Sequence, residues 1–344
     1  MPMVPSRREF MLLSAAALAT ASAPLPVLAA PATLRVGYIP IIPMTQLFIM
    51  EGEGWTKAAG LNLELTSFSS GPAMIQALAS GSLDVAYVGI GPAMVARSRG
   101  IDVKVLASNI IEQVALIGRG TLPGIMAQVP ESPAEGFRRF RVQTGRPAKI
   151  ATLPPGSVPD SVLRYYLQVV AKVAPEDVQV IGVGEEQVQQ ALLAGVVDGA
   201  SILEPILTIV QEREPTARIV APANAMLPRQ PGAVVAVREA AIAANRAAVA
   251  KLVELHVKAT RFAREEPDRT ARHVTDFVGK GLVDPTVIAR ALRSPSTNLV
   301  ADPHIIVEST RLLQDFQQSL GVQIKPVNLD ELFDHSFYDA VARA

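Results

Sequence analysis

Residues 71–100 read GPAMIQALASGSLDVAYVGIGPAMVARSRG, and the tetrapeptide Gly-Pro-Ala-Met stands in them twice, at Gly71–Met74 and Gly91–Met94. Proline's fixed φ suits the first turn of a helix, where its missing N–H costs nothing. A glycine ahead of it lets the backbone turn sharply off a strand. Between the copies lie an apolar-periodic run (Met74, Ile75, Leu78), a Gly81-Ser82 turn and a strand-like run from Asp84 to Val88. The stretch reads helix, strand, helix. Each Gly-Pro start leaves free backbone N–H groups and the positive end of a helix dipole at the carboxyl edge of a sheet. Two such mouths one βα unit apart face one crevice, where open α/β sheets take their ligands. The expectation is half of a cleft for a small molecule.

Working outward, Leu34–Ile39 reads as a first strand stopped by Pro40 and Pro43, Thr45–Ala59 as a helix, and Leu61–Leu65 as a second strand. Val103–Ala107 follows the second Gly-Pro helix as a fourth. Strands alternating with helices at this spacing predict a mostly parallel sheet with helices on both faces. Val114–Gly118 is an apolar strand that leads into a second lobe. There the pattern repeats, with strands at Ala148–Thr152, Val178–Ile181, Asp198–Ile202 and Ala217–Val220, and Ala233–Val237 as the return. Ser132-Pro133-Ala134-Glu135 fits a capping box and predicts a short helix to Phe140. Arg138, Arg139 and Arg141 on that helix read as a solvated face. From Glu239 onward the period is helical, and this tail is expected to pack on the first lobe. The resulting fold class is α/β, two lobes, each a mostly parallel sheet flanked by helices, joined by a two-strand hinge. The expected division is 33–118 plus 233–344 for the first lobe and 119–232 for the second.

The first 29 residues lie outside that scheme. Ser6-Arg7-Arg8-Glu9-Phe10-Met11 is a twin-arginine pattern, an apolar run follows to Ala23, and small residues end it at Val27-Leu28-Ala29. This reads as a Tat-type signal peptide cleaved after Ala29 or Ala32, placing the protein in the periplasm. The remainder of the 344 residues suffices for two domains. Charge is balanced, at 32 basic and 32 acidic residues, so neither nucleic acid nor an anionic membrane is an expected partner. No cysteine is present, which excludes disulfides, a thiol nucleophile and Cys-ligated metal.

Catalytic signals are poor. The four histidines, His256, His273, His304 and His335, are scattered through the helical tail without metal-ligand spacing. Asp334-His335-Ser336 holds triad residue types, but sequence neighbours on a helix point apart. There is no G-x-S-x-G elbow and no phosphate loop, and Gly89-Ile90-Gly91 lacks the third glycine and the distal acid of a dinucleotide fingerprint. No enzyme activity, metal or cofactor is expected. The loops at the strand ends instead supply hydroxyls, amides and helix-start N–H groups, and no lysine or arginine. Neutral donors of this kind hold a small anion without burying a full cation. Arg229 could reach in from the return segment, and Glu204 or Asp160 could face an amine. An organic solute with an apolar body and an anionic end fits best.

At this point the chain resembles the periplasmic solute-binding proteins of ABC importers in the nitrate/sulfonate/taurine family. The matching stretches are Leu34–Tyr38, Ser67–Pro72 with Ala77–Asp84, Gly89–Pro92, Ile150–Ser157, Ala191–Ala200, Glu204-Pro205 and Lys325-Pro326-Val327. The resemblance implies a type II periplasmic binding protein fold, a monomer that closes on its solute and docks on an ABC permease in the inner membrane. Candidate ligand contacts are Ile42, Ser69, Ser70, Gly71, Gly91, Asn109, Ser157 and Glu204. Two features depart from the family pattern: a longer Gly120–Pro147 connection, and Leu203 where an aromatic residue is frequent. Alternative readings are a pyrimidine or thiamine-precursor carrier of the same architecture, which would need stacking from Tyr38, Phe68 or Tyr87, and an exported cofactor-dependent oxidoreductase.

Overall fold

The computed structural model describes residues 31–278 and 283–343. The expected signal peptide, 1–29, lies outside the described residues. The strands are β1 (Ala32–Tyr38), β2 (Leu61–Ser67), β3 (Val85–Gly89), β4 (Val103–Ser108), β5 (Ile110–Ile111), β6 (Ala115–Gly118), β7 (Ala148–Thr152), β8 (Val178–Gly182), β9 (Gly199–Ile202), β10 (Arg218–Ala221), β11 (Ala233–Arg238) and β12 (Asn298–Leu299). They form two five-stranded sheets, ordered β2-β1-β3-β11-β4 and β10-β6-β9-β7-β8, and β5 pairs with β12. The central strands β3 and β11 read as unbroken apolar runs because helices cover both faces.

Both sheets are built to one plan. In the first, β1 runs parallel to β2 and β3, and β11 is inserted antiparallel between β3 and β4. In the second, β7 runs parallel to β8 and β9, and β6 is inserted antiparallel between β9 and β10. Each inserted strand is the one that has just arrived from the other lobe. β6 therefore belongs to the second sheet, and the change of lobe falls before Ala115, ahead of the boundary expected after Gly118.

The duplication reaches individual hydrogen bonds. In the first lobe, Arg35 N–H donates to Asp84 Oδ2 at 3.0 Å; in the second, Lys149 N–H donates to Asp198 Oδ2 at 2.8 Å. Asp84 N–H donates to Arg35 O and Asp198 N–H to Lys149 O, at 2.8 and 2.9 Å. The inserted strands close the motif, with Arg238 N–H on Asp84 O and Arg119 N–H on Asp198 O. Burial works against charge on both aspartates, yet bonds from Arg35 and from Arg146 hold their carboxyls below the usual range. The turn before each aspartate needs a left-handed glycine, Gly81 at φ +75° and Gly195 at φ +73°. The sequence signature is ALASGSLD at 77–84 against ALLAGVVD at 191–198.

Three expectations shift in detail. The second Gly-Pro helix runs Ile90–Ser98, one residue earlier than its glycine suggests. The long connection carries two helices, Leu122–Ala127 and Pro133–Thr144, the latter running past Phe140 to left-handed Gly145. Ser132 makes no side-chain capping bond, and the Glu135 carboxylate is held by Arg138 and Arg139. The third concerns the tail, which packs on both lobes. Its Arg246–Glu265 helix lies on Thr45–Gly52, whereas Pro285–Leu292 meets Ile206–Arg213 in the second lobe. The Val307–Ser319 helix touches both the Ile90 helix and the Val158–Tyr165 helix.

His256 is wholly buried beneath the first sheet, its Nε2 donating to Ser108 O at 2.8 Å. Burial pulls it down to about 4, so it stays neutral in the fold while the unfolded chain protonates near 6.5. Between those values the unfolded state binds more protons, so stability rises with pH. At pH 5 this residue should cost roughly 2 kcal/mol relative to pH 7. Urea titrations of the wild type and His256→Gln at both pH values isolate it: the variant should lose less stability on acidification. Separately, Asp84→Ala and Asp198→Ala each orphan a strand N–H and should lower urea stability by about 2 kcal/mol.

Candidate functional site

The carboxyl edges of the two sheets face one another, and the helices starting at Gly71, Ile90 and Val158 open between them. Lobe touches lobe here. Val158 Cγ2 lies 2.8 Å from where a Cβ on Gly89 would stand, and Ile42 N–H reaches Glu204 O at 3.4 Å. The space left between the lobes is about 20 Å³, lined mainly by Ile39, Ile41, Met44, Leu153, Val158 and Leu203. That holds a water molecule, whereas solute sites run to ~300 Å³ or more. A solute must part the jaws to enter. The lining's polar side chains are Ser157 and Gln113, and none is charged.

Of the eight candidate residues, Gly71 and Ser157 line this space. Ser157 caps the Val158 helix, its Oγ accepting from Asp160 N–H at 3.3 Å. Ser70 is buried at the cap position of the Gly71 helix without a side-chain capping bond, and Ser69 is exposed. Ile42 contributes its cross-lobe N–H. Gly91 packs on Gly156 O and Gln317 Nε2, with no room for a Cβ. Asn109 braces the first connecting segment, its Nδ2 donating to Pro43 O at 3.0 Å. The Glu204 carboxylate turns back to accept Thr208 N–H at 3.0 Å. Burial raises its pKa, opposed by bonds from Ser294 and Thr208. Asp160 is raised by burial too, and its Oδ1 is engaged by Arg164. Neither carboxylate lines the space, so neither is presented to an amine there.

Two residues outside those eight lie at the candidate site. Gln113 lines the space, is 2% exposed, and its Oε1 has no protein partner. It is one of the amides of the strand-end loops, and nothing in one sequence ranks one amide over another. Arg99 edges an adjoining space of about 60 Å³, which shares Pro92 with the first and continues past Pro72, Pro155 and Gly156. It is the charged residue of that lining. Arg99 sits at the far end of the Ile90–Ser98 helix, outside the strand-end loops, where the sequence gives no sign of a cleft-facing cation. Tyr87 is buried against His256, and Tyr38 packs edge-on to Phe48 and Phe277. No aromatic side chain lines either space. Among the described residues, no group of three or more His, Cys, Asp or Glu could hold a metal ion.

The sequence model of the NMT1-like family matches residues 29–278. The chain belongs to the NMT1-like family. Relatives of this NMT1-like protein include chains from Brucella abortus (strain 2308) and Brucella suis biovar 1 (strain 1330). Each is 29% identical over 275 residues, 79% of either chain, and is provisionally named a binding protein. Among solved structures, the nitrate-binding protein NrtA of Synechocystis PCC 6803 superposes with TM-score 0.75 at 15% identity, covering 91% of this chain and 88% of that one. The ligand-binding component of an ABC-type import system from Staphylococcus aureus gives 0.73 at 16%, covering 91% and 100%. The alkanesulfonate-binding protein SsuA of Xanthomonas axonopodis pv. citri, bound to MOPS, gives 0.70 at 17%, covering 90% and 100%. At these identities the likeness is one of fold. The two-lobed binding-protein architecture expected from the sequence is the architecture found.

Because a side chain at Gly89 meets Val158 head-on, Gly89→Leu should wedge the lobes apart. Small-angle scattering is expected to show a larger radius of gyration, and Val158→Ala in the same chain should reverse part of it. An unchanged profile in Gly89→Leu would mean the lobes do not meet there in solution.

Proposed function

We propose that this protein captures a small organic solute between its lobes and delivers it to an ABC permease in the inner membrane. The observation that carries this reading is the facing pair of carboxyl edges, joined by two strand crossings, with helix N-termini opening on one apolar gap. Such a gap grips by enclosure, and closure around a solute is a hinge motion about the two crossings. The names of the Brucella relatives and the fold shared with importer components support the same role. The twin-arginine leader supports export to the periplasm, and no helix among the described residues is long and apolar enough to cross a membrane. A lining without titratable side chains favours holding the solute over transforming it, and a monomer suffices for that role.

The solute is proposed to be an organic acid, sulfonate- or carboxylate-like, and possession of an apolar body is part of the proposal. The lining is aliphatic, and neutral donors and Arg99 together suit a single anionic end. A pyrimidine ring would find no aromatic partner in this lining, and an amine would find no carboxylate.

A thermal-shift screen of sulfonates, carboxylates, amino acids and pyrimidines tests the reading, since a ligand of the native state raises the melting point by mass action. Organic acids are expected to shift it and bare nitrate is not; a nitrate shift larger than any organic acid's would overturn the assignment. For the best acid, Arg99→Ala should weaken binding about tenfold at low salt, with Arg99→Lys retaining part. Equal affinity in wild type and Arg99→Ala by calorimetry would remove Arg99 from the site.

A further inference from the structure

The Val307–Ser319 helix belongs to the tail, yet it sits where the lobes meet, against the Ile90 helix of the first and the Val158 helix of the second. Gln317 on it is wholly buried. Its Nε2 donates to Ser161 Oγ at 2.8 Å and points at Gly156 O at 3.4 Å, both in the second lobe. The carbonyl fixes which way the amide faces, since only the nitrogen can donate to it. On the first-lobe side the same nitrogen lies 2.8 Å from where a Gly91 Cβ would stand. The turn after the helix adds a second contact. Val322 N–H bonds Gln317 O at 3.0 Å, and Val322 Cγ1 lies 3.0 Å from a notional Cβ on Gly156, whose φ is +87°. Two bare glycines, one per lobe, make the slot into which this side chain fits.

We propose that Gln317 is a latch that biases the lobes toward the closed arrangement, and so sets solute affinity as a positioning residue without touching the solute. The segment after this helix, Leu329–Leu332 and Ser336–Ala342, packs on β4 of the first lobe, so parting the jaws separates Gly91 from Gly156 and draws Gln317 away from Ser161. A bond present only in the closed arrangement shifts the open–closed ratio by its own net strength, and because the closed gap has no room for a solute, apparent affinity follows the open fraction. One neutral buried hydrogen bond corresponds to roughly a fivefold shift. The affinity arm rests on the solute-binding reading; the arm on lobe separation does not.

The absence of native cysteine makes the test clean. Lys57→Cys and Val142→Cys, exposed sites one per lobe, carry a spin-label pair whose distances are read by electron resonance. In this background Gln317→Leu and Ser161→Ala, each checked for native helicity by circular dichroism, should shift the distances toward longer values. Affinity for the best acid should rise, by up to roughly fivefold, in either. Ser161→Ala removes one hydroxyl and decides the matter alone if Gln317→Leu does not fold. Distances unchanged in folded variants would overturn the latch. If no solute is found, the function reading fails on its own terms and the distances still decide.

Discussion

Two antiparallel strands, β6 and β11, govern the architecture. Each leaves one sheet's neighbourhood and is inserted as the fourth strand of the other sheet, between neighbours that run the opposite way. A strand in that position is hydrogen-bonded on both sides and cannot slip without turning its apolar residues toward the wrong face. The two crossings are therefore fixed in register where they enter each lobe. That is what makes the carboxyl edges face each other. The gap, the convergence of helix starts and the cross-lobe contacts of Ile42 and Val158 all follow from it.

Much of this was legible in the sequence, for definite reasons. The Gly-Pro repeat announced two helix starts because proline and glycine constrain the backbone locally, and local constraints survive without context. The A-L-x-x-G-x-x-D signature marked both lobes because one turn and one capped strand recur in each. Positions of strands in the second lobe were read to within a residue or two from apolar runs bounded by turns. What escaped was long-range. Glu204 turns its carboxylate into the first turn of its own helix, and Asn109 braces the first connection; the side-chain direction that decides this appears only once strands are packed. Arg99 and Gln317 come from outside the strand-end loops, one from a helix end and one from the tail, 156 residues from its partner Ser161. Spacing along one chain carries no information about such pairs.

The gap itself combines aliphatic walls with neutral polar groups. Burying a fixed cation there would cost several kcal/mol whenever the jaws shut without a counter-charge. Amides, a hydroxyl and helix N–H groups avoid that cost and still offer donors, and Arg99 stays at the rim where water reaches it. Glu204 and Asp160 could have soured this field toward anions, but each is tied into its own helix.

The paired aspartates lie at the amino ends of their strands, the opposite edge of each sheet from the gap. Fold maintenance and molecular recognition thus occupy separate poles of every lobe. Substitutions that remodel the walls leave the girders at the far pole intact, so a lineage built on this frame can trade one cargo for another without passing through an unstable ancestor.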